Sequence, residues 1–236
     1  MSKEILIFIH SLHDTPGYVT DILQGKNIPY RLIHSYNNES IPPLDDSVAG
    51  LIFLGGSMSV NDGISWLEQE TELIRQAINV GLPVIGHCLG GQLISKALGQ
   101  KVSKNLNVEI GWHDCYRTNN QTSNDWLGEL SNPFTMFHWH DETFGIPPDA
   151  IPLFNSKYCE NQAYSYGDNV LAMQCHVEMT EELLTLWLDK YPEELSKESQ
   201  SEQTHQQIRA KLSENIFELN KVAEQLYSRW FKTLAL

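Results

Sequence analysis

Short, continuous apolar runs alternate with amphipathic stretches through the first hundred residues. Positions 5–10, 30–35, 50–54 and 83–86 are β-rich runs of strand length, the third ending in Gly55-Gly56. Between the first two, 16–26 reads as a short helix. A second helix is punctuated at both ends: Ser65 and Glu68 stand at capping-box spacing, apolar positions recur through Leu67, Ile74 and Ile78, and Gly81 followed by Pro83 stops it. The fourth run leads directly into 89–98, which is helical in period. Apolar strands separated by helices imply a parallel sheet covered on both faces, so the fold class is α/β.

The texture then changes. Segments 108–117, 134–139, 151–155, 162–166 and 170–174 are short β-like pieces, and Gly167-Asp168-Asn169 between the last two predicts a hairpin. These pieces are expected to extend the same sheet. Beyond Thr180 the chain reads as helical, with an acidic, Ser/Gln-rich stretch at 193–203 between two helices. Ile208, Leu212, Ile216, Leu219, Val222, Leu226, Trp230 and Leu234 form a long amphipathic stripe, expected to pack on the body of its own domain or, failing that, on the partner in a homodimer. The expected division is a domain over 1–190 and a helical C-terminal extension over 191–236.

Composition narrows the function classes. Sixteen Lys and Arg against thirty Asp and Glu leave a formal charge of −14, and a surface this acidic repels phosphate backbones and anionic lipid. No nucleic-acid partner and no membrane surface is expected. The longest strongly apolar runs, 5–9 and 51–54, are far below the roughly 20 residues that span a bilayer. The N-terminal run is also shorter than the about 7–15 apolar residues of a signal peptide, so a cytoplasmic location is expected. Cys88, Cys115, Cys159 and Cys175 show no metal-ribbon spacing and are read as thiols.

The sharpest chemical signal is Gly86-His87-Cys88-Leu89-Gly90-Gly91-Gln92, where a strand ends and a helix begins. Small residues two before and two after a nucleophile let strand and helix approach through a strained turn, which projects the Cys88 sulfur out of the sheet. Unpaired N–H groups at the helix start favour the thiolate. The bland alternative, a buried structural cysteine in a Gly-rich turn, does not need this strand–turn–helix context. A thiolate nucleophile needs a base and a group to orient it. His176-Val177-Glu178 follows the last predicted strand, and residues two apart in an extended segment point the same way, so Glu178 can fix the His176 ring. After the third strand, Gly55-Gly56 allows close backbone approach, and one of these N–H groups with that of Leu89 would make an oxyanion hole. His138 and His140 could ligate a metal, but with no third ligand at an indicative spacing they are read as a polar site wall or satisfied sheet histidines; no metal is expected. His87 is read as packing.

On these residues the chain resembles the class I, or triad, glutamine amidotransferases over about residues 1–190. The family's G-x-C-x-G-x-Q elbow matches Gly86 to Gln92, and its H-P-E matches His176 to Glu178, with Val177 in place of proline. The resemblance implies a flavodoxin-like open sheet with a mostly parallel centre and antiparallel additions. It implies Cys88 as nucleophile, His176 as base and then acid, Glu178 as orienter, Gly56 and Leu89 as oxyanion donors, and Gln92 as part of the glutamine pocket. It also implies that Glu109-Ile110-Gly111-Trp112 borders the substrate, with Gly55 and Gly111 among the substrate-binding positions. No cofactor is implied. The resemblance is nearest to stand-alone GMP-synthase-like proteins carrying an H-W-H-G-D-T-F type segment, here residues 138–144 with Asp141 in place of the glycine.

The chain has neither a phosphate-cradling P-loop run nor the Ser-Gly-Gly-rich pyrophosphatase loop of GMP synthase, so it is not expected to be a GMP synthase by itself. Three readings follow. The first is a glutaminase supplying ammonia to an acceptor synthetase. The second is a γ-glutamyl peptide or amide hydrolase using the same triad. The third is a non-enzymatic binding or regulatory protein, disfavoured by the intact Cys88, His176 and Glu178.

Overall fold

The protein, described over residues 3–236 by a computed structural model, is built on one nine-stranded sheet. The first half runs β1 (Glu4–Ile9), α1 (Tyr18–Gly25), β2 (Tyr30–His34), β3 (Val48–Phe53), α2 (Ser65–Asn79), β4 (Val84–His87) and α3 (Leu89–Ala97). Then come β5 (Val102–Arg117), α4 (Gln121–Leu127), β6 (Phe134–Phe144), β7 (Ala150–Ser156), β8 (Ala163–Tyr166) and β9 (Val170–Met173). Three helices close the chain: α5 (Glu181–Lys190), α6 (His205–Arg209) and α7 (Leu212–Phe231).

The spatial order is β2-β1-β3-β4-β9-β8-β7-β5-β6. Pairing is parallel from β2 through β9 and antiparallel from β9 to β6, so a parallel centre carries antiparallel additions. Side-chain alternation divides each central strand between two cores. Ile5, Ile7 and Ile9 face one with Ile52 and Leu54, while Leu6 and Phe8 face the other with Leu51 and Phe53. The β8–β9 turn is the expected hairpin, with Gly167 at φ 59°.

Three local expectations are corrected, and one helix appears where none was expected. Ser65 and Glu68 do not form a capping box: the N-cap of α2 is Ile64, no side chain caps it, and Ser65 Oγ accepts from the Gln69 amide at 3.3 Å. A capping box does occur at α6, between Thr204 and Gln207. Helix α4 leaves no mark in the hydrophobic pattern because its seven residues are mostly polar; Asn120 caps it by accepting from the Ser123 N–H at 2.7 Å. Strand β5 begins six residues earlier than its apolar period, because an irregularity between Lys104 and Glu109 breaks the alternation. The C-terminal stripe is interrupted at Ala210-Lys211, which separates α6 from α7.

The stripe packs on the chain's own sheet. Leu219, Leu226, Tyr227 and Trp230 are fully buried in the same core as β1 and β9 residues. Trp230 Nε1 donates to Asn169 O at 3.1 Å, and the Cα of Gly50 on β3 is covered by Leu234 and Trp230. No helix among the described residues is long and apolar enough to cross a membrane.

Candidate active site

Cys88 sits between β4 and α3 at φ 49°, ψ −108°, one of three non-glycine residues at positive φ among those described. The flanking glycines make this strained turn possible. A side chain on Gly86 would run into the backbone of Gly90, one on Gly90 into Phe53 O, and one on Gly91 into Met173 O. Strand and helix therefore meet backbone to backbone, and the sulfur stands at the first turn of α3, where the leading N–H groups have no intrahelical acceptor. Gln174 Nε2 lies 3.5 Å from Cys88 Sγ and its Oε1 accepts from Gln92 Nε2 at 3.2 Å.

His176 follows β9, and its Nδ1 lies 2.6 Å from Glu178 Oε1. Both side chains are buried. Burial works against a charge on the imidazole, but the Glu178 carboxylate beside it and a hydrogen bond with Cys88 raise it to about 10. Burial likewise opposes ionisation of Glu178, which His176 and His87 nonetheless hold down at about 2. The pair is thus an imidazolium–carboxylate pair near neutrality. Where the family has a proline, Val177 is fully buried, and the segment is pinned by its backbone: His176 N–H donates to Phe137 O at 2.9 Å, and Glu178 O accepts from Tyr18 N–H at 2.8 Å.

The pair has a signature in stability. His176, raised in the fold, contributes stability that is complete below its unfolded value of 6.5 and is lost as pH rises towards about 10. Glu178, depressed in the fold, contributes stability that is complete above 4.5 and is lost as pH falls towards about 2. The difference in Tm between the wild type and Glu178→Gln is therefore expected to be largest between pH 4.5 and 6.5 and to shrink on both sides, as read by calorimetry. A difference independent of pH would show that the two groups are not a charged pair.

Gly55 and Gly56 follow β3. A methyl group added to Gly55 would sit 2.9 Å from His176 Cε1 and 3.7 Å from Cys88 Cβ, so the loop passes directly beside both groups. Leu89 is the first residue of α3, directly after Cys88. Gly111 is placed differently. At φ 108° it is covered by Gln203, which donates to Trp112 O at 2.9 Å and accepts from Trp112 N–H at 3.0 Å. Its neighbours Val108 and Ile110, rather than Gly111, line the site.

These elements surround a cavity of about 690 Å³ at the carboxyl ends of the central strands, lined by Cys88, His176, Gln92 and Gly56. Sequence reasoning missed much of its wall. Asp14, Trp139, Trp187 and Tyr191 line it, together with Glu193, Glu194 and Glu202 from the acidic stretch. Trp139 packs edge-on against Trp187 and Tyr191 at 5.9 and 6.1 Å, and its Nε1 donates to Glu194 at 2.6 Å. A tryptophan alternating with His138 and His140 on one strand was the available signal: it had to face the opposite side of the sheet.

His138 and His140 join a buried polar group around Glu109, and His140 also reaches the cavity wall. The Glu109 carboxylate lies 2.9 Å from His140 Nε2 and 3.9 Å from His138 Nδ1, and accepts from Ser156 Oγ and Gln162 Nε2, each at 2.5 Å. The burial that opposes its charge is outweighed by these partners, which hold it at about 2. Glu109, His140 and Cys159 are close enough to hold a metal ion, a grouping invisible to spacing because three distant segments supply it. The carboxylate is engaged by Ser156 and Gln162, while His138 Nδ1 and Gln162 Oε1 are buried without a hydrogen-bond partner. His87 packs on the tail, its Nε2 2.8 Å from Tyr227 OH.

Known proteins resemble this chain in sequence and in fold. Residues 24–185 match the family model "Glutamine amidotransferase class-I", and the chain belongs to that family. The crystal structure of a glutamine amido transferase from Methylobacillus flagellatus superposes with a TM-score of 0.95 at 35% identity, covering 99% of this chain and 96% of that one. The putative glutamine amidotransferase-like protein YfeJ of Salmonella typhimurium is 29% identical over 80% of this chain and 81% of its own. More distant matches are a glutamine-hydrolysing GMP synthase component of Methanococcus vannielii, 26% identical over 73% of this chain and 83% of its own, and γ-glutamyl peptidase 3 of Arabidopsis thaliana, 23% identical over 61% and 60%.

Proposed function

We propose that the protein hydrolyses the γ-amide of glutamine or of a γ-glutamyl compound through a thioester on Cys88. The observation that carries this reading is the meeting, in one cavity, of a strained cysteine at a helix start with a buried His176–Glu178 pair. The Cys88 thiolate attacks the side-chain carbonyl carbon, and Gly56 and Leu89 N–H groups receive the developing oxyanion. The C–N bond breaks as His176 gives its proton to the departing nitrogen. Water then loses a proton to His176 and attacks the γ-glutamyl thioester, the C–S bond breaks, and glutamate leaves. Glu178 holds the ring; Gln92, the backbone near Gly55 and Gly56, and Ile110 border the glutamyl group. Residues 1–190 carry this chemistry and 191–236 act as a helical extension packed upon them.

Two fates of the leaving nitrogen divide the readings. The first is ammonia delivered to a separate acceptor synthetase, which the similarity to the archaeal GMP synthase component supports. The second is release of an amine or peptide, which the similarity to γ-glutamyl peptidase 3 supports. Ammonia release from glutamine measured beside amine release from γ-glutamyl dipeptides separates them; activity on neither removes both.

Cys88 alone of the four thiols is expected to react with a glutamine-like chloroketone at neutral pH. Burial pushes Cys115 and Cys175 well above the ordinary thiol range and Cys159 up to about 11, whereas Cys88 opens onto the cavity. Peptide mapping checks this, and a label on Cys115, Cys159 or Cys175 instead would withdraw the nucleophile assignment.

A further inference from the structure

The loop carrying Gly56 is held from behind by a buried pair that takes no part in the proposed bond-breaking steps. His10 follows β1 and is fully buried. Its Nδ1 lies 3.0 Å from Leu54 O and 3.1 Å from Gly55 O, and its Nε2 lies 3.0 Å from Glu70 Oε2. Carbonyl oxygens only accept, so Nδ1 carries a proton; the carboxylate facing Nε2 calls for a second. Glu70, on α2, is itself fully buried, and its other oxygen takes the Ser35 hydroxyl. The Trp66 indole lies parallel to the imidazole with centroids 5.5 Å apart, on the face where a ring quadrupole favours a cation. Burial opposes the charge on His10, but Glu70 and the two carbonyls outweigh it, leaving the ring more basic than a free histidine.

We propose that the His10–Glu70 pair is the positioning device of the oxyanion loop, holding the Leu54 and Gly55 carbonyls so that the Gly56 N–H faces the acyl oxygen bound at Cys88. The inference rests on the amide-hydrolysis reading. Its geometry follows from the peptide plane. The 55–56 bond is trans, so the Gly55 C=O and the Gly56 N–H point in opposite directions. Drawing the carbonyl towards His10 turns the N–H away from it. The other side of the loop is the reacting side: Gly55 passes within reach of His176 and Cys88, and Gly56 lines the cavity. His10 also limits the loop at Gly56, where an added methyl group would meet His10 Cβ at 3.0 Å. Charge adds to orientation. A carbonyl that accepts from an imidazolium polarises its own amide, which makes the Gly56 N–H a stronger donor when the oxyanion forms. A neutral apolar residue at position 10 would fill the space and leave the Gly55 carbonyl free to rotate.

Three variants separate orientation from charge. His10→Leu removes the donor, His10→Asn keeps an N–H near the place of Nδ1, and Glu70→Gln keeps the contact while removing the charge. His10→Leu is expected to lower kcat about 100-fold with KM little changed, the cost of losing one oxyanion donor, and His10→Asn to recover about tenfold of that. Glu70→Gln should fall between them. Alkylation of Cys88 by iodoacetamide, a displacement with no oxyanion, should keep its rate and pH profile in all three. Binding of a γ-aldehyde analogue of glutamine, which forms a tetrahedral adduct, should weaken in step with kcat, while glutamate binding should not. A His10→Leu enzyme within about threefold of wild type would overturn the proposal against the expected loss of a donor. So would alkylation falling together with turnover, which indicates general distortion, or His10→Asn no better than His10→Leu. Wild-type protein inert towards every γ-glutamyl amide overturns the hydrolysis reading and this inference with it; active wild type indifferent to His10 overturns this inference alone.

Discussion

Replacing His176 by alanine is expected to abolish acyl-enzyme turnover, by about four orders of magnitude or more, as loss of the base does where nucleophile and base act as one unit. Two functions end together: no group receives the Cys88 proton, and none protonates the departing nitrogen. Glu178→Gln should cost less, roughly two orders of magnitude, because an amide at 178 still contacts the ring while its charge is gone. The contact it must preserve is the 2.6 Å hydrogen bond from His176 Nδ1 to Glu178 Oε1. Stopped and steady-state assays of amide release check both, with calorimetry to exclude unfolding. Near-wild-type hydrolysis in His176→Ala would mean that another base serves Cys88. His140, which reaches the same cavity, is the first to replace next.

Deleting residues 205–236 is expected to prevent stable folding rather than trim an appendage. Leu219, Leu226, Tyr227 and Trp230 are fully buried in the deleted segment. At about 1.5–3 kcal/mol each, these four amount to roughly 6–12 kcal/mol, comparable with the whole stability of a typical domain of about 5–15 kcal/mol. The deletion also uncovers what they protect. His87, beside Cys88, loses Tyr227, and Gly50 on β3 loses its cover from Trp230 and Leu234. Aggregation on expression, or a large fall in Tm where soluble protein is recovered, is the expected result; Trp230→Ala should lower Tm in a chain that still folds. A truncated protein that stayed soluble and equally stable would overturn this, and would recommend the helix as a docking surface for an acceptor enzyme.

Much of the chemistry was legible because it is local. An elbow needs small residues at fixed offsets from its cysteine, and His176 and Glu178 stand two apart just after β9, near enough in sequence for their side chains to meet. The parallel centre was legible for the same reason, each buried strand being a short apolar run. His10 and Glu70 were less so, although a carboxylate on the apolar face of α2, between Leu67 and Ile74, was a sign that something buried had to meet it. The polar helix α4 and the true cap of α2 escaped because neither leaves a periodic apolar mark.

From sequence alone came the α/β class, the order of the central strands' elements, and the candidate group of Cys88, His176 and Glu178, because each depends on backbone geometry within a few residues. Tertiary structure alone decided the rest. It brought Asp14, Trp139, Trp187 and the 193–202 stretch to one cavity wall, covered Gly111 with Gln203, gathered Glu109, His140 and Cys159 into one group, and set the tail on the sheet. Those relations join segments far apart in the chain, and they are set by which faces bury one another, a choice that no local pattern of apolar and polar positions encodes.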